Sequence, residues 1–414
     1  MRVDRKTWDL IIVGAGPAGA TAARHAARVG IETLVLERTR FPRAKVCAGG
    51  VTAAALREIG LPFPPGLVER EGRRLRPRWG DFHLDLMTKD PYAVMVSRPR
   101  FDQHLLWAAR QAGAEVREGV AVTGIALEGD RVVAVTSEKA HAARFVIGAD
   151  GVRSRVARAF RPDLGPAETG LCLAADLPTT PVQRRGLLEE GIEVRYGIPP
   201  RGYGWIFPKE GAVSVGVGAV RRGFRRPGIE LVRFLNGSSL PPPGEAPGPE
   251  KGEKGWNLDL LQGRLRACLV PLGGLRRPVA RDRLLLAGDA AGFADPFTGE
   301  GIRWACLSGR LAAEAVARGL RSGRPDRETT AYTEACRAEI DRDLAWARWL
   351  TRMFALAPPL ASAFFFRRAE LFEGLLDILR GRLTYRALVL SFPARLVRGR
   401  GSVPAGLPWG GGPG

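Results

Sequence analysis

The sequence predicts an α/β (α+β) chain in which a nucleotide-binding domain carries an inserted antiparallel β-sheet domain and is followed by C-terminal helices. Three observations predict it. The apolar run Trp8 to Val13 leads into Gly14-Ala15-Gly16-Pro17-Ala18-Gly19, an alanine-rich helix and a second apolar run ending at Glu37. From Gly170 to Val220 the pattern is that of short strands divided by turns. From about Arg342 aromatic and aliphatic residues stand between arginines in a stretch that reads as helices.

The first junction has the order that a pyrophosphate needs: strand, glycine turn, helix, strand, acid. Backbone N–H groups and the positive end of a helix must come within reach of the phosphates, so side chains have to be missing there. Gly14, Gly16 and Gly19 remove them, with Pro17 and Ala18 opening the helix. Glu37 can accept hydrogen bonds from the hydroxyls of an adenosine ribose, and Arg38 adds a donor beside it. The glycine pattern alone is weak. With strand, helix and acid at the required places it predicts a Rossmann-like dinucleotide site.

Composition narrows the classes. The chain has 414 residues, enough for two cores, and 45% of them are hydrophobic. No run of 18 apolar residues occurs and the N-terminus passes straight into a strand. A cytoplasmic protein that does not span a membrane is therefore expected. The formal charge of +20, from 63 Lys and Arg against 43 Asp and Glu, is nearly all arginine and runs through the whole chain. No helix-turn-helix, zinc or RNA-reading motif accompanies it, so nucleic acid is not an expected partner. An anionic membrane surface is the next reading of that charge. The five cysteines show no C-x-x-C pair and no metal spacing, so neither a disulfide framework nor a metal site is indicated.

The remaining elements follow in order. Lys45-Val46-Cys47-Ala48-Gly49-Gly50 precedes a helix from Thr52, and a thiol between cations and glycines lies where thiolate is favoured. A small residue packed in a turn is the plainer account of Cys47. Strands are expected within 73–97, including the alternating stretch Phe82 to Met87, then an amphipathic helix from Arg98 with Leu105, Leu106 and Ala109 on one face. Three short strands follow at 115–119, 119–126 and 131–136. Strand Phe145 to Ile147 ends in Asp150-Gly151, a second turn suited to phosphate or to backing the first, ahead of a helix with basic residues. In the run 200–208, alternation puts Tyr203, Trp205 and Phe207 on one face of a strand. Residues 237 to 256, rich in Pro, Gly, Glu and Lys, are expected to form an exposed loop that buries no apolar area. A third junction runs from Leu284 through Gly288-Asp289 and Pro296 to Gly299-Glu300-Gly301-Ile302 and a long helix. There Asp289 can accept from a ribityl hydroxyl and the N–H groups of Gly301 and Ile302 can face an electron-rich ring oxygen. Residues 341 to 400 hold 11 Arg against 5 acidic residues. Such helices can lie in a bilayer interface, close over an apolar pocket, or simply pack on the body of the protein. The tail 401–414 is expected to be disordered.

Together the three junctions resemble the FAD-binding framework of the para-hydroxybenzoate hydroxylase group. Within it, the cysteine loop at 45–50 and the P-x-x-Y-x-W-x-F-P run at 200–208 resemble the geranylgeranyl reductase family, over about residues 7 to 330. The resemblance implies a discontinuous FAD-binding domain at 1–72, 98–165 and 275–325, a β-sheet catalytic domain at 73–97 and 166–274, and a C-terminal helical region at 326–400. It implies FAD contacts from Gly14, Gly16, Pro17, Ala18, Gly19, Glu37, Arg38, Lys45, Ala48, Gly49, Arg98, Asp150, Asp289, Gly299, Gly301 and Ile302. Substrate would meet Gly49, Gly50, Tyr203, Trp205, Phe207 and Pro296, with Cys47 and the three rings at the reacting centre.

The activity so implied is saturation of isolated double bonds in a polyprenyl substrate, on a lipid, quinone or pigment precursor. An isolated trisubstituted alkene has no carbonyl to hold negative charge. Positive charge must develop, so a proton is delivered to one carbon and hydride from the flavin to the other, eased by aromatic faces. A flavin monooxygenase or halogenase on an apolar substrate is the alternative, but its W-x-W-x-I-P strand is not what stands here: Tyr203 and Phe207 depart from it. A basic peripheral membrane protein with a structural FAD is a third reading. The electron donor, NAD(P)H or ferredoxin, and the oligomeric state are left open by the sequence.

Overall fold

Strand β1 (Arg2–Val13) leads into helix α1 (Pro17–Arg28) and strand β2 (Thr33–Glu37), and all five residues of β2 are buried, as in a parallel strand covered on both faces. The chain is described here by a computed structural model over residues 2–179, 191–238, 240, 242, 255–273, 277–356 and 364–392. A short strand β3 (Gly50–Thr52) and helix α2 (Ala53–Ile59) follow, where the Ala55 N–H donates to the Thr52 hydroxyl at 3.0 Å and caps the helix. Next come β4 (Val68–Gly72), β5 (Arg74–Trp79), β6 (Phe82–His83), β7 (Leu86–Met87) and β8 (Ala93–Val96). The stretch Phe82 to Met87, expected as one strand, is thus two pieces. Both keep one register against β5, and the gap falls opposite Pro77, which has no N–H to give the ladder.

Helix α3 (Arg98–Gln111) buries Leu105, Leu106 and Ala109 as the periodicity predicts. Strands β9 (Glu115–Glu118), β10 (Val122–Glu128), β11 (Arg131–Thr136) and β12 (Lys139–Gly148) then precede α4 (Arg155–Arg158), a single turn that carries the expected basic residues. The β-rich stretch forms β13 (Thr169–Pro178), β14 (Gly191–Tyr196), β15 (Gly202–Pro208) and β16 (Ala212–Val220), followed by α5 (Pro227–Asn236) and β17 (Arg266–Pro271). Strands β18 (Ala280–Arg281) and β19 (Leu284–Leu286) lead to α6 (Ile302–Ser322) and α7 (Pro325–Cys336). A π-helical turn at Arg337–Asp341 joins α7 to α8 (Arg342–Leu356), and α9 (Ala369–Leu379) and α10 (Tyr385–Leu390) complete the described chain.

Three sheets result. The first has eight strands, β10-β11-β12-β1-β2-β9, with β19 beside the C-terminal half of β12 and β18 beside β19. Within it β1 runs parallel to both β12 and β2, so Val13 lies level with Gly148 on one side and Leu36 on the other. The second sheet also has eight strands, β17-β13-β16-β15-β14-β5-β6 with β7 on β5. Its back is buried under α5, where Ile206, Val213, Val215 and Val217 meet Leu231, Phe234 and Leu235. The third, β3-β8-β4, takes strands from either side of the expected 72/73 boundary.

One expectation needs correcting. Stretch 237–256 does bury apolar area: Leu240 and Trp256 are both buried in the core behind the second sheet, and the Trp256 indole N–H donates to the Leu240 carbonyl at 2.9 Å. Residues 243–254 between them, and the tail from Gly401, lie outside the described residues. The proline and glycine content hid the apolar clasp that Leu240 and Trp256 form. The C-terminal helices settle their alternatives by packing inward, Phe354, Phe365, Phe372 and Leu375 forming one buried cluster with Phe297. Trp349, Met353 and Leu356 remain exposed on α8. No helix among the described residues is long and apolar enough to cross a membrane.

Replacing Trp256 by Ala should therefore cost about 3–5 kcal/mol. Urea unfolding monitored by circular dichroism would measure it, whereas a loss below about 0.5 kcal/mol would fit an exposed surface position instead.

Candidate active site

Gly14 has φ of +96°, and a Cβ there would stand 2.5 Å from the Ala149 carbonyl oxygen. The close approach is built by hydrogen bonds: the Ala149 N–H donates to Val13 and the Gly14 N–H to Leu36, each at 2.8 Å. Gly19 packs on the same turn, since a Cβ on it would collide with the Gly14 carbonyl. Gly16 differs. A Cβ there would meet nothing within 4 Å except the Arg43 guanidinium at 3.4 Å, so open space lies above it. Helix α1 starts at this space with Pro17, no side-chain cap and no acidic residue in its first turn. The 21-residue helix α6 likewise starts at Gly301 and Ile302 with neither. Two uncapped helix N-termini therefore offer N–H groups and positive dipole ends to an electron-rich ligand.

The other predicted contacts stand as follows. Glu37 is buried at the end of β2, accepting from the Ala15 N–H at 2.8 Å and from Thr39 through its second oxygen, while Arg38 is exposed. Asp150 accepts the Arg155 N–H at 2.6 Å and caps α4, but its Oδ1 is buried with no partner among the described residues. Burial raises its pKa against those hydrogen bonds. Asp289 lies beside Gly301 and 3.9 Å from the Lys45 ammonium. Arg98 is buried and pairs with Asp102 through two hydrogen bonds of 2.9 Å. Burial lowers its pKa, yet the Asp102 carboxylate outweighs that and raises it. Gly49 packs its Cα against the Val96 carbonyl, next to Ala48.

Beyond Cys47 opens a cavity of about 1280 Å³, larger than the roughly 300–1,000 Å³ of small-ligand pockets. Its floor is the front of the second sheet. Tyr203, Trp205 and Phe207 all reach it, and the Tyr203 and Trp205 rings stand 6.0 Å apart. The strand beneath has Gly216 and Gly218 directly opposite Trp205 and Tyr203, and a Cβ on Gly216 would overlap the Trp205 ring. The indole can lie flat only because that side chain is missing. Phe207 reaches across to Gly50, and Pro296 and Gly299 line the opposite wall, with the Tyr203 hydroxyl donating to the Thr298 carbonyl at 3.1 Å.

Several residues of the site carry no motif. Trp79, Tyr196, Phe297 and Phe354 continue the aromatic lining, with successive ring centroids 6.2, 6.1 and 5.5 Å apart. They come from four distant segments, so no local spacing announces them. Arg201, Arg222, Arg225 and Arg226 line the cavity's rim and are exposed. Their cluster around the run Arg221 to Arg226 was legible as charge, but not as part of a pocket. Glu300 also lines the cavity and accepts a hydrogen bond from the Thr52 hydroxyl. Its open side faces the cavity, not bulk water, and this burial pushes its pKa up to about 7. Asp295 is deeper, accepting from the Tyr385 hydroxyl at 2.7 Å and the Phe297 N–H at 2.8 Å.

Comparison with known proteins gives the cofactor. Residues 7–171 match the family model described as an FAD binding domain. The glycine cradle, the space above Gly16, the two uncapped helices and the unpartnered Asp150 oxygen fit such a group. The chain is a flavoprotein, an FAD-dependent oxidoreductase. Among its relatives, digeranylgeranylglycerophospholipid reductase 2 of Methanothermobacter thermautotrophicus is 32% identical over 361 residues, covering 81% of this chain and 85% of that one. The menaquinone reductase of Mycobacterium tuberculosis is 31% identical over 321 residues, 74% of this chain and 76% of the relative. A solved geranylgeranyl bacteriochlorophyll reductase-like protein from Thermoplasma acidophilum shares the fold, with a TM-score of 0.75 at 23% identity over 94% of this chain and 98% of that one. The chain belongs to the geranylgeranyl reductase family.

Gly14→Val should give a protein that purifies colourless, because a side chain there displaces the 149–150 turn. The flavin absorbance per mole of protein reads the effect, and a fully yellow variant would contradict the cradle described.

Proposed function

We propose that this enzyme saturates isolated carbon–carbon double bonds in a geranylgeranyl chain carried by a lipid with an anionic head. The observation that carries the reading is the cavity itself. An aromatic-floored slot leads away from Cys47 and Gly50 and ends at a rim of four arginines. The names of the relatives support the class of chain. The arginine rim favours a phosphate-bearing head over the uncharged ring of a quinone.

FAD, held by the residues of the three junctions and reduced by a donor still to be identified, supplies hydride when bound. The chain's own residues do the rest. Tyr203, Trp205 and Phe207 hold the alkene against ring faces whose negative charge eases the positive charge that must grow on carbon. Pro296 and Gly50 close the slot from either side and exclude water. Cys47, whose sulfur accepts the Gly49 N–H at 3.4 Å, shapes the wall where the cysteine loop meets the cavity. The Glu300 carboxyl, neutral below about pH 7, holds the proton at the cavity wall. Asp295 is less suited, because its oxygens are engaged by Tyr385 and by backbone N–H groups.

The test is anaerobic incubation of the reduced holoenzyme with a geranylgeranyl phospholipid. Flavin reoxidation matched by a gain of two hydrogens per saturated bond in the lipid is expected. A C4a-oxygen adduct formed on mixing with air, with no alkene reduction, would assign an oxygenase instead. Reduction should fall as pH rises through about 7, where Glu300 loses its proton. Glu300→Gln should lower turnover by about 100-fold or more and flatten that limb, with FAD content unchanged. An unaltered pH profile in the variant would remove Glu300 from the role. Replacing Arg222 and Arg226 by Glu should raise KM for the phospholipid far more than for a geranylgeranyl alcohol, and equal effects on both would locate the head elsewhere.

A further inference from the structure

Two cysteines that the sequence separates widely stand side by side in the cavity floor. Cys172 on β13 and Cys268 on β17 are directly opposed in the antiparallel ladder. The same row continues through Gly218 and Tyr203 to Tyr196, so the two thiols lie level with the aromatic floor. Both line the cavity, neither is fully buried, and both are free thiols. Cys172 Sγ lies over Gly218, where a Cβ would come within 2.8 Å of it. A side chain at 218 would push the thiol aside.

We propose that Cys172 and Cys268 form a reversible dithiol–disulfide site in the cavity wall, oxidised by low-molecular-weight disulfides. Opposed residues of antiparallel strands have Cα atoms about 4.5–5.5 Å apart, inside the roughly 4.4–6.8 Å that a disulfide spans. The Cα spacing therefore permits the bond, with the two Cβ atoms drawn together as it closes. Each thiol shifts the other: the neighbouring Cys268 and burial raise the pKa of Cys172, and the neighbouring Cys172 lowers that of Cys268. The Lys45 ammonium acts in the same direction on Cys268. Cys268 is thus the attacking thiolate. It displaces one thiol from the small disulfide and holds the other half as a mixed disulfide. Cys172 then loses its proton, attacks the Cys268 sulfur and releases the second thiol. Two protein S–H bonds and one S–S bond are exchanged for one protein S–S bond and two small thiols, so two electrons pass to the oxidant. Cys306 and Cys336 are buried and take no part.

The site goes beyond the reaction proposed above and is tested independently of it. The FAD-loaded enzyme is treated with oxidised glutathione without substrate, quenched in acid, alkylated and mapped by mass spectrometry. The expected result is the loss of two of the five thiols, a Cys172 peptide joined to a Cys268 peptide, and full recovery with dithiothreitol. Cys172→Ser should trap glutathione on Cys268 in place of the cross-link. Five thiols that still alkylate after oxidant would overturn the proposal, and so would a linkage that runs through Cys47.

Discussion

The parallel pairing of β1 with β12 is the contact on which the nucleotide side of the molecule depends. It sets Val13 level with Gly148, and from that register the hydrogen bonds of the turns follow: Ala149 to Val13, Gly14 to Leu36, and Ala287 to Gly148 at 2.9 Å. Three strand ends drawn from residues 13, 148 and 286 thereby meet at one edge of the sheet. This is where parallel α/β sheets bind ligands, because the strands' carboxyl ends leave a crevice that helices enter with their N-termini. A shift of one residue would move Ala149 off Gly14 and close the space above Gly16.

The second sheet solves a different problem, that of holding a long apolar chain without filling its own floor. Its back face is densely aliphatic and buried on α5, so its front is free to carry rings. The rings need room, and the ladder supplies it by placing Gly216 opposite Trp205. The C-terminal helices provide the remaining wall, with Phe354 from α8 set at a tilt against Trp79, Tyr196 and Phe297. Their inward faces answer to this cavity. Trp349, Met353 and Leu356 stay exposed on α8, while Arg348 and Arg352 of the same helix line the cavity.

Charge and polarity are distributed in keeping with an apolar reaction. Acids near the cavity are few: Asp295 is held by Tyr385, Glu300 by Thr52 and Asp289 stands beside Lys45, while Glu230 lines the cavity 4.0 Å from Arg233. Arginines are kept to the rim or paired in the interior, as Arg98 is with Asp102. An alkene that gains positive charge in such a setting has ring faces for stabilisation.

Sequence alone determined the local pieces. The turn at Gly14 to Gly19, the acid at Glu37, the helix from Arg98 and the alternation of Tyr203, Trp205 and Phe207 could be read because glycine spacing and side-chain periodicity are properties of short stretches. The Phe82 to Met87 strand was misjudged because its interruption comes from Pro77 on a partner strand, and the 237–256 segment because Leu240 and Trp256 are buried by α5. Only the tertiary structure decided that Trp79, Tyr196, Phe297 and Phe354 share one cavity, that arginines from two turns form its rim, that Glu300 faces inward, and that Cys172 stands opposite Cys268. Those relations exist only once register and packing bring distant residues together, and no local pattern encodes the distance between two strands.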